Sequence, residues 1–214
     1  MKIIVTTGPG YEPIDEVRRI TNFSTGELGV LLANAFARDG HEVFCLKGAC
    51  ATCATPLVQC HHIAFTTNDD LQAHLTRLAR EQDITALFHV AALCDYKVRQ
   101  VQDETGSRQS TAKIDSRSGS LTLLLEPARK VLVGLRELFP RAILVGWKYE
   151  LNGSRADALA KSWRQIRENR TDACVVNGRA WGDGFGFCTP PEQVRELSDK
   201  SGLVEFLRGW LNMV

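Results

Sequence analysis

Met1-Lys2-Ile3-Ile4-Val5-Thr6-Thr7-Gly8-Pro9-Gly10 opens the chain and sets its architecture. Ile3, Ile4 and Val5 have the β-branched, uniformly apolar character of a strand buried on both faces, the parallel-sheet pattern. Gly8, Pro9 and Gly10 stop that strand in a turn. A helix is then predicted from Ser24 to Asp39. Leu28, Leu31, Leu32, Ala35 and Phe36 recur at helical spacing, Ser24 and Thr25 serve as caps, and Gly40 is the stop. A buried strand feeding a helix makes the strand end a candidate ligand face, because doubly wound sheets bind beyond the carboxyl ends of their strands.

The same alternation continues along the chain. Glu42 to Leu46 reads as a strand, followed by a cysteine-containing loop and by a helix from Asn68 with Leu71, Leu75, Leu78 and Ala79 on one face. Leu87 to Ala92 is another buried strand, ending in Cys94, Asp95 and Tyr96. Lys97 to Ser120 is polar, with almost no large apolar residue, and reads as a long arm or flap; loops of that length are usually functional or disordered. Regular structure resumes with a strand at Leu121 to Leu125, a helix carrying Val131, Leu132, Leu135 and Leu138, and a strand at Ile143 to Trp147. Leu159, Trp163 and Ile166 mark a further helix, Ala173 to Val176 a strand, and Leu203 to Leu211 a closing helix. The pattern predicts a three-layer α/β domain over residues 1–214, with a mostly parallel sheet, helices on both faces, and an arm at about 97–120.

Composition bounds the function. At 214 residues the chain buries roughly 70% of its unfolded surface and needs neither disulfides nor metal to build a core. Apolar residues are 44% and charged residues 24%, which excludes disorder, collagen and coiled coil. Lysine plus arginine exceeds aspartate plus glutamate by 26 − 25 = 1, so no basic footprint points to nucleic acid. No apolar run approaches the ~18 residues of a membrane span, and the opening reaches glycine too soon for a signal peptide. A cytoplasmic protein without a membrane partner is expected. There reduced thiols are the default for the seven cysteines.

Four strand ends carry candidate chemistry. Gly8-Pro9-Gly10 falls short of a dinucleotide fingerprint, because Pro13 stands where the third glycine belongs. Asn22-Phe23-Ser24-Thr25-Gly26-Glu27-Leu28-Gly29 opens the first helix; unpaired N–H groups, the positive dipole end and two hydroxyls suit a phosphate, although helix capping and close packing explain the same residues. Asp95 can hold a ribose hydroxyl or Mg²⁺, or simply start a turn. Gly146-Trp147-Lys148, with Glu150, offers an aromatic wall for a base and a cation for a phosphate; its alternative is a core tryptophan and a solvated lysine. Cys50 and Cys53, with Cys60, His61 and His62, have soft-ligand chemistry, but no second matched pair exists and three adjacent residues cannot all point one way.

Taken in order, Thr7 to Arg18 (TGPGYEPIDEVR), Ile20 to Gly26 (ITNFSTG), Ala91 to Tyr96 (AALCDY), Lys113-Ile114, Val145 to Glu150 (VGWKYE) and Asp172 to Asn177 (DACVVN) resemble the phosphopantothenate-cysteine ligase family. In bacteria that activity is commonly half of a bifunctional coenzyme A biosynthesis flavoprotein. The resemblance implies a Rossmann-like fold and a homodimer. It also implies ligation of 4'-phosphopantothenate to cysteine through an acyl nucleotidylate made from CTP or ATP with Mg²⁺. Ser24, Thr25, Gly26 and Gly8 would hold the triphosphate, and Asn22 the reacting carboxylate. Arg18 and Ala91 would lie in the acid's pocket. Asp95 would sit near the nucleotide or its metal, while Gly146, Trp147, Lys148 and Asn177 line the nucleotide. Lys113 would swing in from the arm to offset charge on the α-phosphate.

Three positions depart from the family pattern. Lys113-Ile114 is followed by Asp115-Ser116 rather than two lysines, Glu27 stands where a lysine is common, and Gly10-Tyr11 replaces Thr-Arg. A carboxylate beside a triphosphate costs about 1 to 4 kcal/mol at close range. No flavin-dependent half is present, so FMN is not expected. The competing readings are a catalytically impaired nucleotide-binding relative and an NAD(P)-binding oxidoreductase. The second strand end, Cys45-Leu46-Lys47-Gly48, lacks the acidic ribose ligand that the oxidoreductase reading needs.

Overall fold

The computed structural model describes residues 1–109, 112–115, 117 and 119–213; Ser110, Thr111, Ser116, Ser118 and Val214 lie outside these ranges. In chain order the elements are β1 (Lys2–Thr7), β2 (Tyr11–Pro13), β3 (Arg19–Thr21), α1 (Glu27–Arg38), β4 (Glu42–Gly48), β5 (His61–Phe65), α2 (Asn68–Glu81), β6 (Ala86–His89), β7 (Tyr96–Gln102), β8 (Arg108–Gln109) and β9 (Thr122–Pro127). A 3₁₀ turn (Val131–Gly134) leads into α3 (Leu135–Leu138). Then come β10 (Ile143–Tyr149), α4 (Arg155–Asn169), β11 (Ala173–Asn177), β12 (Phe185–Thr189), β13 (Gln193–Leu197) and α5 (Lys200–Leu211).

The main sheet runs β13-β12-β11-β10-β6-β1-β4-β5. The six strands from β11 to β5 are parallel, whereas β12 and β13 add an antiparallel edge. Numbered along the chain, the parallel strands have the doubly wound order 3-2-1-4-5-6, so connections leave β1 and β6 in opposite directions. Strand alternation separates two layers of core. Ile3, Val5, Phe88 and Val145 pack toward the face shared with Phe36 of α1 and Leu207 of α5. Ile4, Leu46, Leu87 and Leu144 pack toward Leu71 and Leu75 of α2 and Leu135 of α3. Cys174 and Val176 lie under Ala158 and Ile166 of α4. Each such large side chain contributes roughly 1.5–3 kcal/mol by leaving water.

The structure bears out the mostly parallel, doubly covered sheet and corrects its details. Lys97 to Ser120 is not a bare loop, and Leu121 to Leu125 is not a main-sheet strand. β9 pairs with β7, and β8 with β7, in a separate antiparallel sheet. β9 matches the strand expected at Leu121 to Leu125, whereas polar composition hid β7 and β8 because such a ribbon lacks a core to alternate against. The strand at Leu87 to Ala92 ends at His89. The first helix begins at Glu27, and neither Ser24 nor Thr25 is its N-cap: Gly26 holds that position at φ 79°, with no side chain capping the helix. By contrast, Thr67, Ser154 and Asp199 do cap α2, α4 and α5 with their side chains.

Candidate functional site

Because the chain departs from β1 and β6 toward opposite sides, a crevice opens beyond their carboxyl ends. Beyond the sheet the two strands stay joined by one further bridge, Pro9 to Ala92. The Ala92 N–H donates to the Gly8 carbonyl (3.0 Å) and the Gly10 N–H to the Ala92 carbonyl (3.1 Å). Gly8 turns at φ 79°, where an added Cβ would lie 2.7 Å from the Ala51 Cβ. The helix α1 is seated equally tightly. The Thr7 hydroxyl donates to the Gly26 carbonyl at 2.8 Å, and a Cβ at Gly29 would stand 2.3 Å from the Thr7 Cβ. Only glycine lets the helix N-terminus approach the strand end this closely.

Two clefts flank this strand end. The first, about 160 Å³, is lined by Thr7, Ser24, Thr25, Gly26, Asn177 and Lys200. Its floor is the uncapped start of α1, where free N–H groups and the helix dipole favour an anion. Thr25 contributes an oxygen that accepts from the Glu27 N–H at 3.2 Å. Glu27 stands at the mouth, but its carboxylate is ion-paired with Lys200 at the start of α5. The pair offsets the repulsion that a lone carboxylate would exert on a triphosphate.

The second cleft, about 180 Å³, lies on the α2 side of β6. His89, Ala91, Leu93, Asp95, Lys130 and Trp147 line it. Asp95 is bonded by Lys130 at the rim. The Asn68 side-chain amide donates to the Cys94 carbonyl (2.8 Å) and the Arg129 carbonyl (2.9 Å), tying α2 to both rims. Burial pushes the His89 imidazole down to about 4, so it is neutral at physiological pH. Asn22 lines neither cleft, but its side-chain amide donates to the carbonyl of Leu93, a residue of the second cleft, at 2.8 Å.

Lys130 also borders a third groove, about 280 Å³, shared with Lys148, Lys161 and Arg164. There Glu150 accepts from Lys161 and meets Lys148 at 3.3 Å. Burial opposes its ionisation, but the two lysines outweigh it and hold the carboxyl below the usual range. Gly146 sits under α4, where a Cβ would lie 2.5 Å from the Gln165 amide nitrogen.

Two residues expected at the site lie elsewhere. Arg18 borders a separate depression on the β2–β3 hairpin and donates to the Ile114 carbonyl at 2.5 Å. The Ala112 carbonyl accepts from the Glu16 N–H at 3.0 Å, and the Ile114 N–H donates to Asp15 at 3.2 Å. Lys113 is exposed between these anchors, with Ile114 buried beside it. In this conformation the arm is docked on the hairpin. His89, Lys130, Lys161, Arg164 and Lys200 line these clefts and Thr6 holds His89; sequence reading passed over all six. His89 alone left a signal, a titratable residue inside an otherwise apolar strand.

The chain matches the DNA/pantothenate metabolism flavoprotein C-terminal domain family over residues 1–205. It belongs to that family. Among relatives of this flavoprotein C-terminal domain, the bifunctional coenzyme A biosynthesis protein CoaBC of Thermococcus kodakarensis is 29% identical over 177 residues, covering 82% of this chain and 41% of that protein. The chain thus spans about four-tenths of that relative's length. A DNA/pantothenate metabolism flavoprotein from Streptococcus pneumoniae superposes with a TM-score of 0.88 at 24% identity, covering 100% of this chain and 99% of the other. The Cab2 H337A mutant in complex with phosphopantothenate-cysteine superposes at 0.76 and 18% identity, covering 99% and 85%. At these identities the two structures establish the shared fold. Among the described residues no helix is long and apolar enough to cross a membrane, and no cluster of three or more His, Cys, Asp or Glu side chains forms a metal site.

Proposed function

We propose that this chain is a phosphopantothenate-cysteine ligase, driven by CTP or ATP, that acts in coenzyme A biosynthesis. One juxtaposition supports the reading above all. A single strand end is flanked by an uncapped helix N-terminus on one side and by a cleft with an aromatic wall, a carboxylate and a lysine on the other. The first suits phosphates and the second a nucleoside. Membership of the family supports the same reading, as do relatives named as coenzyme A biosynthesis proteins.

In the first step an oxygen of the 4'-phosphopantothenate carboxylate attacks the α-phosphorus of the nucleotide. The bond to the β-phosphate oxygen breaks, and pyrophosphate leaves. Gly8, Ser24, Thr25 and Gly26 hold phosphate oxygens with no reorganisation, since the helix amides are already aimed. Lys113 offsets the charge that builds on the leaving group, while Lys200 keeps the Glu27 carboxylate neutralised. For Lys113 this requires the arm to leave its docked position, a closure that also excludes water from the acyl nucleotidylate. Mg²⁺ arrives with the triphosphate. One carboxylate plus substrate phosphates is its usual mode; Asp95, once released from Lys130, would hold it, and the ion would neutralise phosphate charge. In the second step the cysteine amine attacks the acyl carbon, the acyl–oxygen bond breaks, the nucleoside monophosphate leaves, and one proton is lost from nitrogen. Asn22, held on the Leu93 carbonyl by one N–H, keeps its second N–H for the developing oxyanion. Ala91 contacts the acid, and Arg18 does so once release of the arm frees its guanidinium from the Ile114 carbonyl, while Gly146, Trp147, Lys148 and Asn177 bound the nucleotide. The ligase-like domain over residues 1–214 works as a cytoplasmic homodimer.

The test is incubation with 4'-phosphopantothenate, cysteine, Mg²⁺ and either CTP or ATP while following pyrophosphate. Release that depends on the acid is expected. No release with either nucleotide overturns the ligase reading. Nucleotide-induced stabilisation without turnover would then identify a catalytically impaired relative. Stabilisation by NAD(P)H alone would identify an oxidoreductase.

A further inference from the structure

His89 and Cys94 are the buried titratable side chains of the second cleft that the mechanism above does not use; the Cys94 thiol already faces the Gly10 carbonyl at 3.6 Å, which leaves His89. Its Nδ1 lies 2.8 Å from the Thr6 hydroxyl oxygen. That oxygen accepts from the Ala91 N–H at 3.3 Å. Thr6 is fully buried, and its hydroxyl hydrogen has no other acceptor among the described residues. A buried donor is expected to be satisfied, so the hydroxyl donates to Nδ1 and the ring proton sits on Nε2. Nε2 has no protein partner among the described residues, yet His89 is only 7% exposed and lines the cleft. A neutral, immobilised donor therefore lines a space with apolar walls from Ala91, Leu93, Val131, Leu132 and Trp147 and with Asn68, Asp95, Arg129 and Lys130 as its polar groups. About 180 Å³ admits one heterocycle, and an apolar slot with few placed polar groups is the ordinary form of such a site.

We infer that His89 Nε2–H donates a hydrogen bond to a ring nitrogen or carbonyl oxygen of the nucleobase, making His89 a nucleotide-specificity residue rather than a core histidine. The inference rests on the ligase reading only for the identity of the ligand. A cation at this position would favour any anion, whereas a neutral donor discriminates by acceptor geometry. The phosphates bind independently of it.

Three measurements test this. In His89→Leu the KM for CTP or ATP should rise about fivefold to tenfold, the ordinary worth of one neutral hydrogen bond. The KM values for 4'-phosphopantothenate and cysteine should hold, as should the inhibition constant of inorganic tripolyphosphate, which has no base. His89→Gln, which carries an amide donor near the Nε2 position, should return the nucleotide KM to within about twofold of wild type. In ¹⁵N-histidine NMR of the unmodified protein at neutral pH, His89 should show the Nε2–H tautomer, with a shift on adding nucleotide but not tripolyphosphate. The last readout needs no turnover and no variant, so it stands whether or not pyrophosphate is released. An Nδ1–H tautomer, an unchanged nucleotide KM in His89→Leu, or an equal loss of tripolyphosphate inhibition would each overturn the assignment.

Discussion

Gly29→Ala tests how the phosphate-binding end of α1 is held. Inside a helix, alanine is ordinarily favoured over glycine by about 1 kcal/mol. Here the added Cβ would lie 2.2 Å from the Thr7 Oγ1 and 2.3 Å from the Thr7 Cβ. An unstrained carbon contact needs about 3.5–4.0 Å, so helix and strand must separate by more than an ångström. Overpacking of this kind costs about 1–3 kcal/mol, and the Thr7–Gly26 bond would be stretched as well. The expected net loss is about 1–2 kcal/mol, or roughly 2–8 °C in Tm for a domain of this size. Tripolyphosphate affinity should fall with it, since the amides move off their target. Thr7→Ser in the same background should restore nothing, because the Cβ itself is in the way. Differential scanning calorimetry with and without tripolyphosphate reads both effects. A Gly29→Ala protein with wild-type Tm and wild-type tripolyphosphate affinity would refute the packing argument.

Further outcomes follow from the same geometry. His89 is neutral when folded, with its value lowered to about 4 from 6.5. The unfolded chain therefore binds more protons between those values, and stability falls as pH drops from 6.5 toward 4. Urea unfolding of His89→Gln should show a flatter acid limb than wild type over that window. Asp199→Ala, which removes the acceptor of the Gly202 N–H (2.8 Å), should cost about 1 kcal/mol, measured by denaturant midpoint. Cys45 and Cys94 are buried, with thiols pushed up to about 12 and about 11, and Cys174 and Cys188 are buried and raised likewise. An Ellman titration of native protein should thus label the half-buried Cys50 and Cys53 first. Lys113→Gln should abolish pyrophosphate release while moving Tm by less than about 2 °C, because its side chain is exposed.

Much of the parallel sheet was legible because a strand covered on both faces writes a continuous apolar run, and an amphipathic helix writes a 3.6-residue period. Ile3 to Val5, Leu87-Phe88 and Ala173 to Val176 are such runs, and α1, α2 and α5 such helices. β5 and β13 were silent: their residues are mostly exposed at the two sheet edges, where pairing leaves no alternation to read. β7 and β8 of the arm sheet were hidden for the same reason. In the site, the helix-opening turn from Asn22 to Gly29 announced itself through glycines and hydroxyls with local causes.

Local interactions therefore dictate what can be recovered from order along the chain: the α/β alternation, the strand-end turns, and the anion-favouring start of α1. Contacts across long separations dictate the rest, since no neighbour in sequence carries their imprint. Lys200 meets Glu27 across 173 positions, Thr6 fixes His89 across 83, and Arg18 docks the arm across 96. The charge balance of the first cleft, the tautomer in the second, and the resting place of Lys113 all depend on packing that brings these distant side chains together.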